Sequence, residues 1–261
     1  MSEPNWDEAV KRSQALMKTP EIKRFYAKAE VGEAEGGYAL LLDGRVTRTP
    51  AKAKLIAPTR ELAEAIAAEW RAQGEIVQPA AMPLTRLANS ALDGVARALP
   101  ETIAEIAGYA GTDLVCYRAL EPEALAARQA AAFDPVLAFA EDAFGARFVL
   151  AGGIMHVPQP EASLKAVRAA VEAYAEPFAL TALHALTSLS GSALLALMLA
   201  HGATSAEAAW AAAHVDEDYQ IEAWGADEEA MRRREARFRD FAAAAFALRT
   251  LRGGPRPEAA A

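Results

Sequence analysis

YALLLDGRVTRT, residues 38–49, decides how the first part of this chain folds. Two runs able to form strands, Tyr38 to Leu42 and Arg45 to Thr49, are separated by Asp43-Gly44 alone. A type I′ turn needs positive φ at both central residues, and an Asp-Gly pair supplies that at low cost, so the spacing predicts a β-hairpin. Working outward, Phe25 to Val31 alternates apolar and polar residues as a half-buried strand does, and Lys54 to Ala57 adds a short strand before Pro58. Thr59 is placed to cap a helix on which Leu62, Ile66 and Trp70 share one face, with Gly74 suited to its C′ position. Glu75 to Gln78 reads as one more strand, ended by Pro79. Further upstream, Asn5 can start a short helix carrying Trp6, Val10 and Leu16.

From Pro83 onward the apolar period becomes helical. The pattern predicts helices over 83–97, 100–109, 121–144, 160–174, 177–201, 204–224 and 226–250. Phe148-Val149-Leu150 reads as a strand among them, closed by Gly152-Gly153. The expected fold class is therefore α+β: a small β-rich N-terminal domain over residues 1–80, a larger, mainly α-helical C-terminal domain over 81–250, and a frayed tail over 251–261.

Composition bounds the function. A chain of 261 residues with 53% hydrophobic and 24% charged residues is globular. Its net charge of −8 argues against a nucleic-acid binder. One cysteine, Cys116, excludes an internal disulfide and any paired-cysteine metal or redox motif; its neighbours Leu114, Val115 and Tyr117 mark it as a buried thiol. The start of the chain has neither the apolar core of a secretory signal nor the acid-poor make-up of a transit peptide, which points to a cytoplasmic protein or a mature form. Between Glu176 and Glu207 no Asp, Glu, Lys or Arg occurs. That stretch is long enough to span a bilayer, but it carries His184, His201 and a polar centre and lacks basic flanks. A buried core helix, or two short ones meeting near Gly191, is the expected form, so stable membrane insertion is not.

The most polar stretch is HVDEDYQIEAWGADEEAMRRR, residues 214–234. His214 and Asp218 fall on one helix face, as do Asp218 and Glu222. Yet a metal site needs three or four ligands, and bundle sites take paired Glu-x-x-His motifs from separate helices. The chain also lacks a phosphate loop, a zinc-protease motif and a nucleophile elbow; Ser190-Gly191-Ser192 has the wrong spacing for the last. No metal, cofactor or catalytic residue is therefore expected. His184 and His201 read as hydrogen-bonded core residues, and His156 has no evident role. Glu228–Arg232, Glu229–Arg233 and Glu235–Arg239 are i,i+4 ion pairs in the favourable order. What remains is Trp224 and Tyr219 bordered by acids, the composition of an anchor and its rim in a protein contact. The residues alone leave open whether Trp224 is such an anchor or packs into the core. They also leave open an enzyme using His214, Asp216 and Glu217, and a membrane-associated factor using 177–206.

Six stretches in linear order carry a resemblance: KRFYAKAEV (23–31), LDGRVTRTPAKAKL (42–55), LAEAIAAEWRAQ (62–73), MPLTRLANSALD (82–93), TDLVCYRA (112–119) and DEDYQIEAWGADEE (216–229). Over about Lys23 to Phe246 the chain resembles the assembly chaperones of the F-type ATP synthase α subunit, called F₁ complex assembly factor 2 in mitochondria. Tyr219 stands where that family is expected to carry a tryptophan. The resemblance implies the same two-part fold and a binding function, not catalysis. It implies that the chain binds the unassembled α subunit and shields its interface until the β subunit replaces it, in the bacterial cytoplasm or, for eukaryotic relatives, the mitochondrial matrix. The family's acidic motif falls on Asp216, Glu217, Gln220, Trp224, Gly225 and Asp227, with Glu228 following. These are the partner-binding candidates. Trp70, Arg86 and Asn89 lie in the other motifs, Trp70 as a structural residue fixing its helix to the sheet and Arg86 and Asn89 as candidates for a domain-bridging hydrogen-bond network.

Overall fold

The hairpin forms where the Asp-Gly pair predicts it. In the computed structural model, which describes residues 22–153 and 155–251, strand β3 (Gly37–Leu42) turns through Asp43, φ 49°, and Gly44, φ 77°, into β4 (Arg45–Val46). β3 is the centre of an antiparallel sheet. Strand β2 (Ala29–Ala34) pairs along its whole length, from Ala29 opposite Leu42 to Ala34 opposite Gly37, and β4 and β5 (Ile56–Ala57) pair in turn on the other side. Gly37 is needed at that crossing, because a Cβ there would lie 2.2 Å from the Ala57 carbonyl oxygen. β1 (Ile22–Lys23) and β6 (Ile76–Val77) form a separate two-stranded ribbon. The helix expected around Trp6 and the tail from Arg252 lie outside the described residues.

The strand expected over 25–31 starts only at Ala29. Before it, the Ala27 and Lys28 N–H groups donate to the Asp43 carboxylate at 3.0 and 2.8 Å, so a side chain takes the place of a neighbouring strand. Helix α1 (Arg60–Arg71) is capped as expected: the Thr59 hydroxyl accepts the Leu62 N–H at 3.3 Å, and Leu62 and Ile66 are fully buried against the sheet. Gly74 does not take a left-handed conformation; Ala72 closes the helix on the Ala68 carbonyl.

The rest of the chain is mainly helical: α2 (Pro83–Asp93), α3 (Leu99–Tyr109), α4 (Glu123–Phe144), α5 (Glu161–Glu172), α6 (Pro177–Ser190), α7 (Ala193–Ala200), α8 (Ala206–Ala213), α9 (Val215–Trp224) and α10 (Glu228–Leu251). The fold class is α+β, a small β-containing N-terminal region followed by a mainly helical one. The long uncharged segment resolves into α6 and α7, broken at Gly191 with φ 72°. α6 is the central helix, packed against α2, α3, α7 and α10, which is why most of its faces are apolar. Among the described residues no helix is long and apolar enough to cross a membrane.

Asp113 ties the end of α3 to the start of α7. Fully buried, it accepts the Val115 N–H at 3.2 Å and the Leu194 N–H at 3.1 Å, and burial pushes its carboxyl pKa up to about 6. Cys116 beside it is fully buried as well, and its thiol is pushed up to about 12, chiefly by burial.

Phe148 to Leu150 is not a strand. Val149 and Leu150 are 43% and 49% exposed, and the Gln159 side-chain amide donates to and accepts from the Val149 backbone at 2.9 and 2.8 Å. The strand lies one residue further on: β8 (Ala151–Gly152) runs parallel to β7 (Tyr117–Arg118). The segment expected as one helix over 204–224 is two, broken at His214. His201 is exposed at the end of α7, not in the core, with its Nδ1 2.9 Å from the Leu197 carbonyl oxygen. His184 is half-buried, its Nε2 3.1 Å from Glu105 Oε1 but out of line for a hydrogen bond.

One apolar cluster runs through both parts of the chain, from Leu40 and Leu62 through Leu84 to Leu248. A smaller one (Tyr26, Ala29, Leu42, Val77 and Met82) lies beside it, and Trp70 packs against both.

Candidate partner-binding site

α9 carries no buried residue at all. Its first turn holds Asp216, Glu217 and Asp218, where the helix dipole favours negative charge. Polar contacts fix it to its neighbours. Gln129 of α4 donates to Asp216 at 2.7 Å, and Arg128 pairs with Glu222 at 2.7 Å while its guanidinium lies 5.2 Å from the centre of the Tyr219 ring. On the other flank Arg234 of α10 donates to Asp218. The Arg128 guanidinium holds the Glu222 carboxyl below the usual range, and hydrogen bonding to Asp218 raises the Arg234 guanidinium above its own.

Those pairs consume three of the helix's four acids. Left over are Glu217, Gln220 and Trp224, spaced by three and four residues and hence on one outward face. Glu217 and Gln220 are exposed and make no side-chain hydrogen bond or ion pair among the described residues. Trp224 is 88% exposed, the most exposed of the large apolar side chains described. Of the two roles the sequence left open for Trp224, packing into the core is thereby overturned. Gly225, φ 90°, then turns the chain sharply, and Asp227 caps α10 by accepting the Ala230 N–H at 2.7 Å. Glu228 and Glu229 pair with Arg232 and Arg233 at 3.7 and 2.8 Å, whereas no ion pair joins Glu235 to Arg239 among the described residues.

The cluster of His214, Asp216 and Glu217 is not brought together as an acid/base site. His214 is only 4% exposed and stacked on Trp210, ring centres 3.8 Å apart. Its Nδ1 lies 2.8 Å from the Trp210 carbonyl oxygen, so that nitrogen carries the proton. Burial lowers its pKa, which keeps the ring neutral. Asp216 instead faces Gln129. Among the described residues no group of three His, Cys, Asp or Glu side chains is placed to share a metal ion.

Trp70 sits at the junction of the two regions. Its carbonyl accepts the Tyr26 hydroxyl at 2.6 Å, their rings meet edge-on at 5.4 Å, and its indole Nε1 donates to Thr85 at 3.1 Å. One tie across residue 80 is not revealed by the sequence. Glu69 accepts the Leu84 and Thr85 N–H groups at 2.7 and 2.8 Å and the Thr85 hydroxyl at 2.7 Å, capping α2 from the side of α1. Burial raises the Glu69 pKa in spite of these bonds. Arg86 joins α2 to Asp240 of α10, and Asn89 makes no side-chain hydrogen bond among the described residues. Gln129, Arg128 and Glu69 escaped notice because each partner is at least 10 residues away in sequence, where no local spacing rule reaches.

Comparison with known proteins settles the class. The chain is similar to Atp12 from Paracoccus denitrificans, 42% identical, with a TM-score of 0.81 over 87% of this chain and 97% of that one. A family model described as ATP12 chaperone protein matches residues 23–141. The chain belongs to the ATP12 chaperone family. An aspartate-to-lysine mutant of the same Paracoccus protein matches at 41% identity with the same TM-score. The Atu1473 protein of Agrobacterium tumefaciens is 47% identical, with a TM-score of 0.86 over 96% of this chain and 92% of that one. The helical half beyond residue 141 thus belongs to the ATP12 fold as well. The class of function of an ATP12 chaperone is ATP synthase assembly.

Proposed function

We propose that this chain binds the unassembled α subunit of the F-type ATP synthase catalytic sector and shields its interface until the β subunit takes its place. The contact surface is the outward stripe of α9, with Trp224 as anchor and Glu217 and Gln220 beside it. Asp227 and Glu228, at the start of α10, and the partly exposed Asp216 form the rim. The observation that carries this reading is the exposure of Trp224 on a helix whose other acids are already paired. Exposing so large an apolar side chain in the free state is unfavourable, and burying it against a partner recovers that free energy.

The function is binding, not catalysis, and the physics is mass action. A chaperone that binds the assembly-competent subunit lowers the concentration of free, aggregation-prone interface. Because the β subunit must displace it, the contact is a single anchor with a polar, acid-bearing rim and not a broad apolar face. Light scattering of purified unassembled α subunit, with and without equimolar chain, tests the proposal. Suppressed aggregation and a one-to-one complex are expected; aggregation unchanged by the chain contradicts it.

A further inference from the structure

In a chain whose net charge is −8, one loop is cationic. Arg45, Arg48, Lys52 and Lys54 are all exposed, and none of them pairs with a carboxylate among the described residues. Scattered surface cations are ordinary, but these occupy positions that cost the free protein stability. Arg48 and Lys54 lie directly opposite each other across an antiparallel bridge, where like charges repel. Lys52 holds φ 72°, in the left-handed region that residues with a Cβ enter at a cost. Arg48 helps fix it there by donating to the Lys52 carbonyl at 2.7 Å.

The loop is also clamped to α2. The Thr49 hydroxyl donates to Asp93 at 2.6 Å, the Ala51 N–H donates to the other Asp93 oxygen at 3.0 Å, and the Ala53 N–H donates to the Thr49 hydroxyl oxygen at 3.1 Å. The carboxylate that grips this loop is therefore spent on its backbone and its threonine, and the four cations stay unneutralised. A held loop with strained, mutually repelling cations is pre-organised for an anion: little ordering entropy remains to be lost, and the repulsion is relieved on contact.

We propose that the 45–54 loop is a second docking surface, one that takes a carboxylate-rich segment of a protein partner. Protein carboxylates suit it better than a nucleic acid or an anionic bilayer. Four cations fall short of the phosphate contacts a nucleic-acid site neutralises, and the overall negative charge repels an extended polyanion at long range. A short acidic segment meets the loop alone. It also faces no competition from α9, whose unpaired Glu217 carries the opposite charge.

Fluorescence anisotropy of a labelled oligoglutamate peptide with the full chain at low salt tests this. The assay contains no ATP synthase subunit, so its outcome is independent of the α-subunit reading. Wild type is expected to bind with an affinity that falls as salt rises, and R48E/K54E to bind about tenfold or more weakly. Lys52→Gly separates contact from fold, since glycine relieves the left-handed backbone. It is expected to melt no lower than wild type and still bind oligoglutamate more weakly. Undetectable binding to wild type, equal binding by R48E/K54E, or tighter retention by a single-stranded oligonucleotide or by phosphatidylserine vesicles at the same salt overturns the proposal.

Discussion

Replacing Glu69 by alanine is expected to loosen the joint between the sheet-bearing region and the helices. The cap residue before α2 is Met82, whose side chain satisfies none of the helix's free N–H groups, so the Glu69 carboxylate does that work from α1. Glu69→Ala leaves the N–H groups of Leu84 and Thr85 without their acceptor, in residues almost wholly buried. Each such orphan costs about 1–3 kcal/mol. Part is returned because a carboxylate whose pKa is raised by burial no longer has to be desolvated. The net loss is about 2–4 kcal/mol, or roughly 4–16 °C in Tm for a chain of this size. Glu69→Gln keeps one acceptor and removes the buried charge, so about 1 kcal/mol is expected. Thr85 shares the network through its hydroxyl, so Glu69→Ala with Thr85→Val should cost about 1 kcal/mol less than the sum of the single changes. Urea unfolding with a common m-value measures the wild type and all four variants. A loss under about 0.5 kcal/mol for Glu69→Ala, or strict additivity, would show that the carboxylate does not hold the joint.

Other perturbations follow from the same geometry. The Asp113 pKa is raised from 3.8 to about 6, so the folded state binds more protons than the unfolded between those values, and this group's contribution to stability is lost as pH rises through about 6. Relative to Asp113→Asn, wild type should therefore lose about 2 kcal/mol between pH 4 and pH 7; a pH-independent difference contradicts that. Gly191→Ala meets no atom within 4 Å, so its cost is conformational only, about 1 kcal/mol, whereas Gly37→Ala places a Cβ 2.2 Å from a carbonyl oxygen and should cost clearly more by thermal melting. Gln129→Ala frees both Asp216 and the Ala119 N–H, and is expected to cost about 1–3 kcal/mol and to speed amide exchange through α9.

Local chemistry in the sequence carried much of the fold. Asp43-Gly44 set the hairpin because a two-residue turn depends on its own φ angles, and Thr59 set a helix start because a cap bonds three residues ahead. What escaped had remote causes. Phe25 is 67% exposed although it fits an alternating strand pattern, because Asp43, far along the chain, takes the backbone bonds a strand would have used. The break at His214 has no Pro or Gly to announce it; it follows from the ring stacking on Trp210 and bonding back to that residue's carbonyl. The site was half legible. Its residues stood out as acids around an aromatic, but spacing along one helix could not say which acids Arg128, Gln129 and Arg234 would claim. That sorting turns a broad acidic segment into the narrow stripe of Glu217, Gln220 and Trp224.

The affinity of Trp224→Ala for purified unassembled α subunit, measured beside its Tm, bears most directly on that stripe. Trp224 is almost free of intramolecular contact, so Tm should stay within the range of about 0.5 kcal/mol typical of surface changes. An anchor tryptophan contributes about 2–3 kcal/mol or more to binding, which is a loss of roughly 30- to 150-fold in affinity. Unchanged affinity at unchanged Tm would place the contact elsewhere on the molecule.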